Sequence, residues 1–224
     1  MKQMTNSIQA KLELWRHDIE EILSHPILIE HTGRPRLSDL KMASIYLPLL
    51  EKDMADDVKA YHATAIIYLA LSCHDHVLQS GTLQKSQQLQ VLAGDYYSGK
   101  YYQLLSKNGY RELITRLTDS IRLMTESRSF LYLQETSDEE AMVHARKVIV
   151  TEPTRALFTE MDTLQFMPLA EQLALFEDFD KLPYSLEWMV SEIKQELDQS
   201  HLGEEVKNSL MQLIEEALPS ETKL

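Results

Sequence analysis

An all-α fold is predicted for this chain by three observations. Only six glycines and seven prolines punctuate 224 residues, and several of the prolines fall near expected helix ends. Apolar side chains recur at spacings of three and four along most of the length. No pair of alternating apolar and polar runs reads as a strand pair, and neither an internal repeat nor a low-complexity tract occurs. The length suits one large domain with a substantial core, so residues 1–224 are expected to form a single helical domain.

The elements follow in order. Ile8, Leu12, Trp15, Ile19 and Ile22 share one face of a first helix that ends near His25-Pro26. A polar link over 31–39 leads to an apolar segment over 40–50. Asp53, Asp56 and Asp57 then open a third helix, where carboxylates suit the positive end of the helix dipole. Its middle, with Ala63, Ala65, Ile66, Ile67, Leu69, Ala70 and Leu71, is apolar on nearly every side, so it belongs at the centre of the fold. It is expected to run over 58–78.

A loop with Gly81 precedes a helix near 87–106, and Asn108-Gly109 stops it. Leu113, Ile114, Leu117, Ile121 and Met124 give the next helix a single apolar stripe. Ser137 with Glu140 resembles a capping box for a helix to about residue 161, which Pro153 should kink or interrupt. Shorter helices are expected near 169–176, 184–197 and 204–218.

Composition excludes several classes of function. A net charge of −13 opposes nucleic-acid binding, whose affinity comes from clustered lysine and arginine. The most apolar stretch, 63–73, falls well short of the ~20 residues that cross a bilayer. The first residues lack the continuous apolar block of a signal peptide, and the single cysteine, Cys73, has no partner for an intramolecular disulfide. A cytoplasmic protein without a transmembrane segment is expected.

Few residues promise chemistry. In His74-Asp75-His76 the two histidines sit at i and i+2, about 200° apart on a helix, and so do not chelate one ion as an i, i+4 pair does. Gly94 inside a helix costs about 1 kcal/mol relative to alanine, which close helix packing would explain. Asp95, among apolar neighbours, is expected to be buried with a hydrogen-bond partner. Tyr97 and Tyr101 share a face, with Tyr96 and Tyr102 flanking them, and such tyrosines suit either a core or a subunit interface. Glu177-Asp178-Phe179-Asp180 lacks the i, i+4 carboxylates that would converge on one ion and reads as a solvated face or loop. Arg34 and Arg36, flanking Pro35, are a weak anion signal.

Taken together, Leu23-Ser24-His25-Pro26, His74-Asp75 and the run Val91-Leu92-Ala93-Gly94-Asp95-Tyr96-Tyr97 through Leu105 resemble the small subunit, component I, of heterodimeric heptaprenyl diphosphate synthases. The likeness is best over 20–135. It implies a reduced isoprenoid-synthase-like helical bundle that pairs with a catalytic large subunit, component II, to make the prenyl chain of menaquinone from farnesyl and isopentenyl diphosphates. Catalytic relatives hold magnesium and an allylic diphosphate with two DDxxD motifs.

Here Asp75 matches one aspartate of the first motif, His76 replaces the next and Gln79 a later acidic position. Ionising an allylic diphosphate requires magnesium and cationic donors around the departing charge. The resemblance therefore implies no catalytic residue, no metal site and no cofactor in this chain, with Mg2+ in the catalytic partner. It leaves His74, Asp75, His76, Gly94, Asp95, Tyr96, Tyr97 and Tyr101 as packing or partner-contact candidates. Two alternatives stay open at this point, a helical adaptor unrelated to isoprenoids and a stand-alone metal-dependent diphosphate enzyme. Self-pairing of the isolated chain through an uncovered apolar patch is open as well.

Overall fold

The computed structural model describes residues 8–51, 58–75, 85–133 and 138–218. Among them are ten α-helices, joined in places by short 3-10 turns, and no strand. Helix α1 spans Ile8–Ile22 and buries Ile8, Leu12, Trp15 and Ile19. Helix α2, Pro26–Thr32, starts with proline at its first position, and His25 caps it by accepting from the Leu28 N–H. Helix α3, Asp39–Tyr46, is capped by the Ser38 hydroxyl, which accepts from the Lys41 N–H at 3.0 Å.

Helix α4, Val58–Asp75, has the all-round apolar character of a central helix, and Ala60, Ala63, Ala65, Ile66 and Ile67 are sealed from solvent. The acidic trio at 53–57, His76, Gln79 and Gly81 lie outside the described residues. Helix α5, Lys85–Lys107, packs along α4, and α2 crosses α5. Gly109 takes φ of +79°, which lets the chain reverse into α6, Arg111–Leu133.

Helix α7, Glu139–Glu160, pairs with α6 and touches α4. Its cap is Asp138, which accepts from the N–H groups of Glu140 and Ala141, and Ser137, expected to open a capping box, lies outside the described residues. Pro153 does not interrupt the helix. Proline removes one N–H from the ladder and crowds the preceding turn, but here the opened turn is filled from outside. The Tyr68 hydroxyl of α4 donates to the Val150 carbonyl at 3.0 Å and lies 3.4 Å from the Thr154 N–H. Lys41 of α3 also donates to the Val150 carbonyl and places its ammonium 3.7 Å from the centre of the Tyr68 ring.

The remaining helices close the core. Helix α8, Met167–Phe176, packs on α3 and α7, and α9, Leu186–Gln199, packs on α8. Helix α10, Glu204–Ala217, turns Val206, Leu210, Leu213 and Ile214 towards α3 and α1.

Candidate functional site at the α4–α5 seam

Helices α4 and α5 approach closely at Gly94. A Cβ there would lie 2.7 Å from His74 Nε2 and 2.9 Å from the Ala70 carbonyl oxygen, so only glycine fits without displacement. The carbonyl is backbone and has little freedom to move. His74 thus lies over Gly94, and its Nε2 stands 3.9 Å from Asp95 Oδ1. Asp95 is not buried as its apolar neighbours suggested, since its side chain is 68% exposed. One step of 100° beyond Gly94 carries it off the α4 face and towards solvent. Asp75 is the last residue of α4.

The tyrosines divide between two environments. Tyr97 and Tyr101 are buried in the core. Burial pushes the Tyr97 phenol up to about 12, partly offset by a hydrogen bond with Thr32, and burial likewise raises Tyr101. Tyr96 lies at the edge. Its hydroxyl donates to the Ser24 carbonyl at 3.3 Å and its ring meets His25 edge-on at 5.2 Å. The Leu23-Ser24-His25-Pro26 segment therefore rests on the Gly94-Asp95-Tyr96 segment, although some 70 residues separate them.

Other sequence candidates are engaged elsewhere. Arg34 pairs with Glu20 at 2.8 Å and Arg36 approaches Glu13 at 4.0 Å. Asp178 pairs with Lys181 at the turn after α8. Among the described residues, no cluster of three or more histidine, cysteine, aspartate or glutamate side chains suits a metal ion, and no helix is long and apolar enough to cross a membrane.

Two buried polar groupings had no separate signal in the sequence beyond a charged or titratable residue inside an apolar run. One is Lys41 with Tyr68, Val150 and Thr154. Burial pulls the Lys41 ammonium down to about 7, with Glu177 and Asp178 opposing. The other joins Asp18, Tyr46 and His62, and burial holds the His62 imidazole at about 4 against the pull of Asp18.

Comparison with known proteins places these features. The family described as heptaprenyl diphosphate synthase (HEPPP synthase) subunit 1 matches residues 25–216. Component 1 of heptaprenyl diphosphate synthase from Geobacillus stearothermophilus is 36% identical over 83 residues, which is 37% of this chain and 38% of that relative. No solved structure matches. The family match runs from the His25 cap through the α4–α5 seam to the last turn of α10, and on that extent the chain belongs to the heptaprenyl diphosphate synthase subunit 1 family.

Proposed function

We propose that this chain is the non-catalytic subunit of a two-component heptaprenyl diphosphate synthase. It supports a catalytic large subunit in building long prenyl diphosphates, for the menaquinone side chain, from farnesyl and isopentenyl diphosphates. The observation that carries the reading is the outer face of α5. Gln88, Leu92, Asp95, Gly99, Tyr102 and Ser106 recur at alternating spacings of four and three, and every one is exposed. Leu92 is 55% and Tyr102 42% exposed, and nothing lies within 4 Å of a Cβ built on Gly99.

Leu92 and Tyr102 give this exposed stripe two large side chains, and with a single charge among its six positions it suits contact with another helix. Glycine at its centre costs helix stability that no contact among the described residues repays, and an approaching backbone would use the space. Families of this name couple two components, which makes the catalytic subunit the natural occupant.

The α4–α5 seam supports the non-catalytic part of the reading. Magnesium takes near-octahedral oxygen ligands, whereas Asp95 faces a histidine nitrogen across 3.9 Å. That donor set does not fit the ion, so Mg2+ and the diphosphates are assigned to the partner.

Prenyl transfer from farnesyl diphosphate with labelled isopentenyl diphosphate and magnesium tests the proposal. This chain, its candidate large subunit and their mixture are compared. Long-chain product is expected in the mixture only, and turnover by the highly purified chain alone would refute the non-catalytic assignment.

A further inference from the structure

Away from the seam, α1, α3 and α4 meet at a polar knot whose Asp18 edge, 40% exposed, reaches solvent. The Tyr46 hydroxyl of α3 lies 2.5 Å from His62 Nδ1 of α4, and Asp18 Oδ2 of α1 lies 3.5 Å from His62 Nε2. Tyr46 is fully buried and His62 nearly so. The Tyr46 ring stacks on Trp15 of α1, with centroids 4.5 Å apart, and tilts against Tyr61 of α4. One neutral tautomer satisfies all three groups. The phenol donates to Nδ1, and the ring hydrogen on Nε2 points at the Asp18 carboxylate.

A second proton on the ring breaks this arrangement. Nδ1 becomes a donor facing a donor, the Tyr46 hydroxyl has to turn its hydrogen away, and a cation is placed on a ring that is almost wholly buried. The groups shown facing His62 are Asp18 from α1 and Tyr46 from α3. Among the described residues, no charge on α5 or α7 acts on it.

Helix α1 also stands apart in another way. It precedes residues 25–216, the body over which the family matches. Among the described residues, its other polar ties to that body include Arg16 to Asp39, Glu20 to Arg34, Glu13 to Arg36 and Lys11 to the Leu50 carbonyl. Each of these ties runs to α1, so none secures the body without it.

We propose that α1 is a detachable clasp and that the Asp18–His62–Tyr46 knot is its acid-sensitive latch, so that protonating His62 frees α1 while the helices behind it stay folded. The test is amide hydrogen exchange read by mass spectrometry on the full chain from pH 7.5 to pH 4.5, corrected for intrinsic exchange rates. Peptides from α1 should lose protection by about 30-fold at pH 5, because each pH unit below the free imidazole value adds up to about tenfold. Peptides from α4 and α7 should hold theirs.

His62→Gln keeps a neutral polar side chain and should abolish the pH response of α1. Asp18→Asn keeps an acceptor and lowers only the proton affinity of the folded site, so the response, set by the free imidazole, should begin at the same pH. Loss of protection in α1 and α7 together, an α1 that never opens, or a His62→Gln protein that keeps the response would each overturn the proposal.

Discussion

Gly94→Ala places a methyl group where two helices already touch, and the size of the effect can be worked out from two distances. The new Cβ would meet His74 Nε2 at 2.7 Å and the Ala70 carbonyl oxygen at 2.9 Å. The imidazole has room to rotate, since His74 is 38% exposed, but the carbonyl belongs to the backbone of the central helix. Overpacking of this kind costs about 1–3 kcal/mol. Replacing a mid-helix glycine by alanine returns about 1 kcal/mol of helix propensity. The net expectation is a loss of roughly 1 kcal/mol, which lowers the melting temperature by about 2–4 °C in a chain of this size. Urea unfolding followed by far-UV circular dichroism measures it, provided the slope is unchanged. In a His74→Ala background the penalty should shrink but persist, because the Ala70 carbonyl remains. A Gly94→Ala protein as stable as the parent would refute the claim that the seam is closed at this residue.

The other substitutions separate the chain's own needs from those of a partner. Gly99→Ala, with nothing to strike, should stabilise the isolated chain by about 0.5–1 kcal/mol in the same unfolding assay, and should weaken capture of the large subunit by roughly tenfold in a titration. Tyr102→Glu gives up the stack on Tyr101, so a loss of about 1 kcal/mol is expected in unfolding, and it should abolish long-chain product in the two-component mixture. Tyr68→Phe removes the hydroxyl that joins Val150 and Thr154, and a loss of about 1–2 kcal/mol is expected by chemical denaturation. Stability should also fall as pH drops from 6.5 towards 4. The unfolded His62 takes up a proton that the folded site excludes, so the loss is roughly 3 kcal/mol once pH is below both values. A flat profile across that window would contradict the buried neutral imidazole.

Local periodicity made most of the helices legible. The stripe from Ile8 to Ile19, the all-apolar middle of α4 and the Asn108-Gly109 stop each depend on neighbours within a few turns, and each appears where the pattern put it. Asp95 was misjudged for a different reason. Its sequence neighbours Ala93 and Gly94 are buried, yet the helical step that seats them turns Asp95 and Leu92 outward, and composition alone does not register that rotation. The cap at Asp138, whose carboxylate accepts from Glu140 and Ala141, was not singled out in the sequence because serine and aspartate stand side by side there and suit the same role. The pairs Tyr46 with His62 and Lys41 with Val150 join residues on different helices, 16 and 109 positions apart. Only the packed arrangement of helices defines them.

The carbonyl of Val150, held by Lys41 and Tyr68, implies an order of assembly. Pro153 offers no N–H to the ladder of α7, and the Val150 carbonyl in that turn takes donors from residues 109 and 82 positions earlier in the chain. A fragment containing only α6 and α7 should therefore fray beyond Glu152, however strong its helix propensity before that point. Closing such distant contacts is slow relative to forming the local turns on either side. The second half of α7 would then be among the last parts of the protein to become native, waiting on a platform that α3 and α4 must already have built.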